Sequence, residues 1–460
     1  MVLAGKATDW LSENLSPDAE NTYLHETVHW WQTAMTGYGH SAWSLFRQST
    51  AFVIGEWVKA TDGTPHSRRI PIQALDLEAP DPNVSPASIH LHIARLSAVE
   101  MLRVAQAQFS LPNPSVFFSE VSVRPDADRL TWPVNPTVVL PDGDYILQGS
   151  DIVECQAHYL ATQFSQISYG SAASALMRDG LSPKYWAAFA WFTGQVHPEY
   201  VDLFSMVCDL ALQTVWSGLV TKHDDWKRES PAWRFLELTA ILARREVPPI
   251  KVGDLTSRYL EYGDDLLQKA KLPSFAEVFA GAFKRAEWRK PLMNLELVML
   301  DAMEFKRRHP WCNAYPWLHL ETFDDLRSKH PAPVVQIEGR LNLFHPPSAA
   351  AAPDGPLPKD VANEISGEFL LQGLSSQILG LSPSGRVPIK GALECGFCYF
   401  DLANVCPHQI ADNCPGWFYP KNGSPFPIAN FGEESELGCP LEKLLYLYGV
   451  SMTDIEIAGG

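Results

Sequence analysis

The sequence predicts a mainly α-helical protein with a small β-sheet, an α+β chain that ends in a cysteine-rich metal-knuckle region. Three observations carry this. Apolar residues recur at helical spacing over most of the first 330 positions. One stretch, residues 115–148, is instead rich in β-branched and aromatic residues and turn signals. Five of the eight cysteines fall in the last hundred of 460 residues.

The first helix is predicted from Ser16 to about Thr36. Ser16 is a cap, Pro17 suits the first turn, and Asp18 and Glu20 complement the positive end. Gly37 and Gly39 are expected to stop it, and Gly37-Tyr38-Gly39-His40 reads as a turn. A second amphipathic stretch covers about 42–60, and a third about 85–109. Residues 115–118 and 137–140 read as strands, with Pro141-Asp142-Gly143-Asp144 as a turn. Helical pattern resumes near 151 and runs, with breaks, to about 329. Residues 345–358 are rich in proline and alanine and read as a linker. The expected organisation is a mainly helical domain over 1–344, the linker, and a C-terminal domain over 359–460.

Composition narrows the function classes. The chain is 46% hydrophobic, with 15 Trp, 14 Tyr and 22 Phe, enough to build aromatic cores. Its net charge of −17 and lack of long basic runs argue against nucleic acid as a partner. No stretch of roughly 18 uninterrupted apolar residues predicts a membrane span. The N-terminus lacks the apolar run of a secretory signal. Cys155, Cys208 and Cys312 are scattered singly, which suits a reducing compartment, so a cytoplasmic location is expected.

The strongest chemical signal is His25-Glu26-Thr27-Val28-His29. Four residues apart on a helix, the two imidazoles share a face and can share a divalent metal, zinc first among candidates. Glu26 lies about 100° round the helix, where a carboxylate serves as the base that takes a proton from zinc-bound water. Leu24, Val28, Trp31 and Met35 form an apolar stripe. His25, His29 and Gln32 sit one residue past it, at the border of a buried face. His40 does not extend the motif, because the further ligand of a longer histidine pattern would fall on Met35.

A catalytic zinc commonly has three protein ligands and an open position. Glu154 is the leading third ligand. Val153, Ala157, Leu160 and Phe164 form a second apolar stripe, and Glu154 and His158 again sit one residue past it. Two such helices could pack and meet at a metal. The competing reading makes Asp151 a cap and Glu154 its capping-box partner. Glu100 is the alternative ligand. His158 is a candidate ligand, orienting group or oxyanion stabiliser, and Tyr159 and Tyr169 are candidate oxyanion donors.

His-Glu-x-x-His followed by the Glu-x-x-Ala-x-x-x-Ala of Glu154, Ala157 and Ala161 resembles the gluzincin metallopeptidases, closest to the ImmA/IrrE type. The resemblance implies a zincin-like core, His25, His29 and Glu154 as zinc ligands, Glu26 as base, and hydrolysis of a peptide bond in a protein or peptide substrate.

In the C-terminal region Cys395 and Cys398 form a CxxC, followed by Cys406 and Cys414. Four thiolates so spaced suit a second, structural zinc; an iron–sulfur cluster would use the same ligands. Two other functions stay open. Glu26-Thr27-Val28-His29 is also the Glu-x-x-His of di-iron carboxylate oxygenases, although no second copy occurs. A non-catalytic, zinc-stabilised protein-binding module would also explain the cysteines. A regulatory protein partner is a further expectation for a helical protein of this size.

Overall fold

The computed structural model describes residues 16–60, 135–169, 181–215, 227–288 and 294–318, the strand segments 2–3, 68–70, 334–337, 340–343 and 455–457, and Glu368, Leu371, Leu447 and Tyr448. The helix expected over 85–109, with Glu100, lies outside them. So do the strand at 115–118, the linker at 345–358, and Cys395, Cys398, Cys406 and Cys414.

The described chain is mostly helical. Strand β1 (Val2–Leu3) precedes helices α1 (Pro17–Ala34) and α2 (Gly37–Ala60). Strand β2 (Arg68–Ile70) and the hairpin β3 (Thr137–Leu140) and β4 (Gly143–Ile146) lead to α3 (Gly149–Tyr169). Then come α4 (Ala187–Gln195), α5 (Phe204–Leu212), α6 (Pro231–Ala243), α7 (Leu255–Lys269), α8 (Phe275–Trp288) and α9 (Asn294–Arg308). Strands β5 (Val334–Ile337), β6 (Arg340–Leu343) and β7 (Ile455–Ile457) follow. The hairpin pairs Val138 with Tyr145 and turns at Gly143, whose φ of 125° is a conformation only glycine adopts readily. Elsewhere β1 runs parallel to β5, which pairs antiparallel with β6, and β2 runs parallel to β7. No described helix is long and apolar enough to cross a membrane.

Helix α1 starts as its sequence dictates. The Ser16 hydroxyl accepts from the Ala19 N–H at 3.3 Å, Pro17 occupies the first turn, and Asp18 and Glu20 sit at the positive end. The glycines do not end it: α1 stops at Ala34, with Met35 as its C-cap. Helix α2 begins at Gly37 itself, and His40, expected in a turn, lies in its first turns with Nε2 at 2.9 Å from the Ala34 carbonyl. Gly37 packs so tightly on the Thr214 backbone that a Cβ would overlap its carbonyl. The absence of a side chain there serves packing rather than termination.

Helix α3 is the wall between two cores. Ala157, Leu160, Ala161 and Phe164 pack with Tyr23, Leu24, Val28, Trp31 and Met35 of α1, and with Leu295 and Met299 of α9. On its other side Ile152 and Cys155 join a larger core with Phe192 of α4, Phe204 and Leu210 of α5, Phe235 and Leu238 of α6, and Leu266 of α7. Each buried Leu or Phe in these clusters contributes on the order of 1.5–3 kcal/mol of transfer free energy. Helix α3 is thus clamped on two faces. Only a strip between them is left for chemistry.

Two polar groups brace the larger core. Arg234, fully buried, donates to the Leu210, Ala211 and Gln213 carbonyls at 2.7–2.9 Å and so closes the C-terminal end of α5. The last carbonyls of a helix lack their regular partners and carry its negative end, and the Leu210 carbonyl also accepts from the Gln213 N–H at 3.2 Å. Burial lowers the Arg234 pKa to about 10. Lys306 of α9 donates to both carboxylate oxygens of Asp209 in α5, at 2.6 and 2.7 Å, and the Tyr259 hydroxyl of α7 donates to the same group at 2.6 Å. Beyond the linker sequence, Glu368 accepts from Arg47 of α2 at 3.1 Å, and Arg47 also pairs with Glu296 of α9 at 2.8 Å.

Candidate metal centre

Helix α1 carries His25 and His29 one turn apart, and α3 carries Glu154 on its free strip. Packing of the two helices brings the three side chains together. His25 Nε2 and His29 Nε2 are 3.1 Å apart, and Glu154 Oε2 lies 3.2 Å from the first and 3.3 Å from the second. The rings meet edge to face at 87°. Among the described residues this is the one group of His, Cys, Asp or Glu side chains arranged to hold an ion.

The size of this triangle is informative. Zinc bonds of about 2.0–2.1 Å at tetrahedral angles set neighbouring ligand atoms roughly 3.3–3.4 Å apart. The three observed separations, 3.1–3.3 Å, lie at or slightly below that edge. Two imidazole nitrogens and one carboxylate oxygen suit zinc or another small transition ion, whereas calcium and magnesium prefer oxygen throughout. The donors therefore fit the metal that the sequence motif implies, and the three side chains are partly exposed.

The electrostatics agree. Burial disfavours charge on Glu154, but hydrogen bonds from His25, His29 and Lys184 outweigh it and hold the carboxyl well below the usual range. Burial works against a proton on His29, and the Glu154 carboxylate, helped by the charge of Glu26, overrides it and raises the pKa. A cation at this point would replace that proton. Glu26 is partly buried on α1, and its charge reaches His29.

The capping-box alternative for Glu154 does not hold. Asp151 is the third residue of α3, and it does the capping: Gln148 N–H donates to Asp151 Oδ2 at 2.7 Å, and the Tyr145 hydroxyl to Oδ1 at 3.0 Å. Glu154 is one turn further in, free to face α1. Burial pushes the Asp151 pKa up to about 6, against the lowering effect of both donors. The unfolded carboxyl ionises near about 3.9, so stability declines as pH rises from about 4 to about 6. Asp151→Asn has no such penalty. Its stability relative to the parent protein should rise by about 3 kcal/mol between pH 4 and pH 7, at about 1.4 kcal/mol per pKa unit; urea unfolding at the two pH values measures this.

His158 lies one turn along α3, on the same strip. Its ring is 5.9 Å from that of Tyr185, which is also 5.8 Å from His25. Tyr159 is not at the site. It belongs to a second stripe with Ile152 and Cys155, and its ring packs on Phe189 and Phe204 at 5.4 and 5.1 Å in the larger core. The side chain of Tyr169, the last residue of α3, is not among those described.

Two site residues have no sequence signal beyond a Ser-Pro turn start. The short 3-10 turn Pro183–Tyr185 places Lys184 Nζ at 2.9 Å from Glu154 Oε1 and 4.4 Å from the Tyr185 ring centre. Lys184 thus holds the carboxylate oxygen that faces away from the histidines. A third contribution comes from Gln32, whose Oε1 lies 2.9 Å from His29 Nδ1.

No family model matches this chain, and neither does any curated protein or solved structure.

Proposed function

We propose that this chain is a zinc-dependent hydrolase that cleaves a peptide bond in a protein or peptide. The observation that carries the reading is the triangle of His25 Nε2, His29 Nε2 and Glu154 Oε2, with sides of 3.1–3.3 Å, beside a carboxylate that is not part of it. A zinc ion held there would polarise a substrate carbonyl and make a bound water acidic. Glu26 supplies the base: it sits next to His25 in sequence, is partly buried, and lies close enough to influence His29. Lys184 keeps one oxygen of Glu154 occupied, which directs the other toward the histidines. The Tyr185 ring lies 5.8 Å from His25 and 5.9 Å from His158, and polar groups so near the pair would steady charge developing on the carbonyl oxygen.

The same two histidines and one carboxylate also match mononuclear iron oxygenase sites, so that is the second reading. Glu26 has no assigned task in it. The di-iron version needs more carboxylates and a second histidine than the described residues bring together.

Metal analysis tests the proposal. Purified protein should contain zinc at this site, and His25→Ala should lose one zinc per chain. Iron in place of zinc would favour the oxygenase reading. A zinc content unchanged by His25→Ala would leave a structural zinc at most and remove the enzymatic case. The four-cysteine cluster Cys395, Cys398, Cys406 and Cys414 is proposed to hold a second zinc, which that substitution leaves in place.

A further inference from the structure

The two oxygens of Glu154 have different partners. Oε2 completes the triangle with His25 and His29. Oε1 accepts from Lys184 Nζ at 2.9 Å. The turn that carries Lys184 is well anchored. Pro183 opens it, and the proline ring fixes one backbone angle there. The Tyr185 N–H donates to the Ser182 carbonyl and the Trp186 N–H to the Pro183 carbonyl, both at 3.0 Å. Trp186 packs against the larger core, and its indole N–H donates to the Leu181 carbonyl at 3.3 Å. The Tyr185 ring centre lies 4.4 Å from Nζ, where the face of an aromatic ring attracts a cation. An ammonium group is thus held against one oxygen of the carboxylate.

This bears on how many atoms Glu154 gives to a metal. A carboxylate can bind an ion through one oxygen or through both. Binding through both fills an extra position round the ion. That suits octahedral ions such as manganese, which prefer oxygen, better than tetrahedral zinc. Lys184 competes with the metal for Oε1, and its charge repels a second cation on that side. We infer that Lys184 makes Glu154 a one-oxygen ligand and so biases the site toward a tetrahedral ion such as zinc and against an octahedral one such as manganese. Lys184 is a positioning residue: it acts on the metal only through Glu154. The inference rests on the metal reading above and adds to it what selects the ion.

The test compares the unsubstituted protein with Lys184→Met, which removes the charge, and Lys184→Arg, which keeps it. The Lys184 side chain is 41% exposed, so neither change opens a core. Each protein is stripped of metal and titrated separately with zinc, manganese and cobalt(II). The same titrations of His25→Ala give the signal of any other site, which is subtracted. In Lys184→Met the preference for zinc over manganese is expected to fall about 10-fold, the low end of what partners of metal ligands change. The visible absorption of bound cobalt should weaken, as it does when a tetrahedral ion gains a ligand. Lys184→Arg should restore both. A preference and a cobalt spectrum that Lys184→Met leaves unchanged overturn the inference while the metal reading stands, even if all affinities shift together, because that is a merely structural effect. Failure of Lys184→Arg to restore them overturns it as well. If the unsubstituted protein gives only the signal of His25→Ala, no metal binds at the triangle, and the metal reading and the inference both fail.

Discussion

Glu26→Gln is expected to keep the metal and to lose hydrolysis by at least about 10²–10⁴-fold, the usual contribution of a positioned acid–base group. The amide has the shape of the carboxylate and still fits the partly buried place on α1. It cannot take a proton from water near neutral pH. Glu26 is not one of the three converging donors, so zinc content should match that of the unsubstituted protein. Removing its charge should also weaken the proton's hold on His29, because that charge is one of those raising the His29 pKa. Zinc by atomic emission and cleavage of a peptide library by mass spectrometry give the two readouts. Hydrolysis that survives the change would mean that another group activates the water.

Lys306→Met is expected to destabilise the fold by about 3–5 kcal/mol, the range for breaking one side of a buried ion pair. Both Lys306 and Asp209 are fully buried. The substitution leaves the Asp209 carboxylate with only the Tyr259 hydroxyl and the Gln213 amide as donors, neither of them charged. Chemical unfolding monitored by tryptophan fluorescence measures the loss. A change under about 1 kcal/mol would show that the carboxylate protonates or finds water at little cost. The neighbouring pairs Arg307–Glu304 and Arg258–Glu261 lie on the surface, and solvent screening leaves them little weight.

These residues also show what sequence can and cannot reveal. The helix at 17–34 and its histidine pair were legible because cap, first-turn acids and apolar period all agree. Glu154 was legible by its place one residue past an apolar stripe, repeated from the first helix. Tyr159, a candidate oxyanion donor, faces away from the site because α3 buries a second face, against Phe189 and Phe204. Lys306 looks like part of a basic surface run beside Arg307 and Arg308. Only its contact with Asp209, 97 positions away, explains why it is inside. Lys184 and Tyr185 sit on a turn too short to show any periodicity, and Gln156 has no pattern that marks its buried amide as the donor to the Ser205 carbonyl. Such roles arise from tertiary packing, which one-dimensional spacing does not encode.

The two-sided burial of α3 also separates the tasks of its residues. Ile152, Cys155, Leu160 and Phe164 answer to the cores, where a lost methylene is felt as a cavity. Glu154 and His158 answer to neither. Position 154 answers instead to His25, His29 and Lys184, so the choice of metal is set along this strip while the packing of the bundle is set behind it.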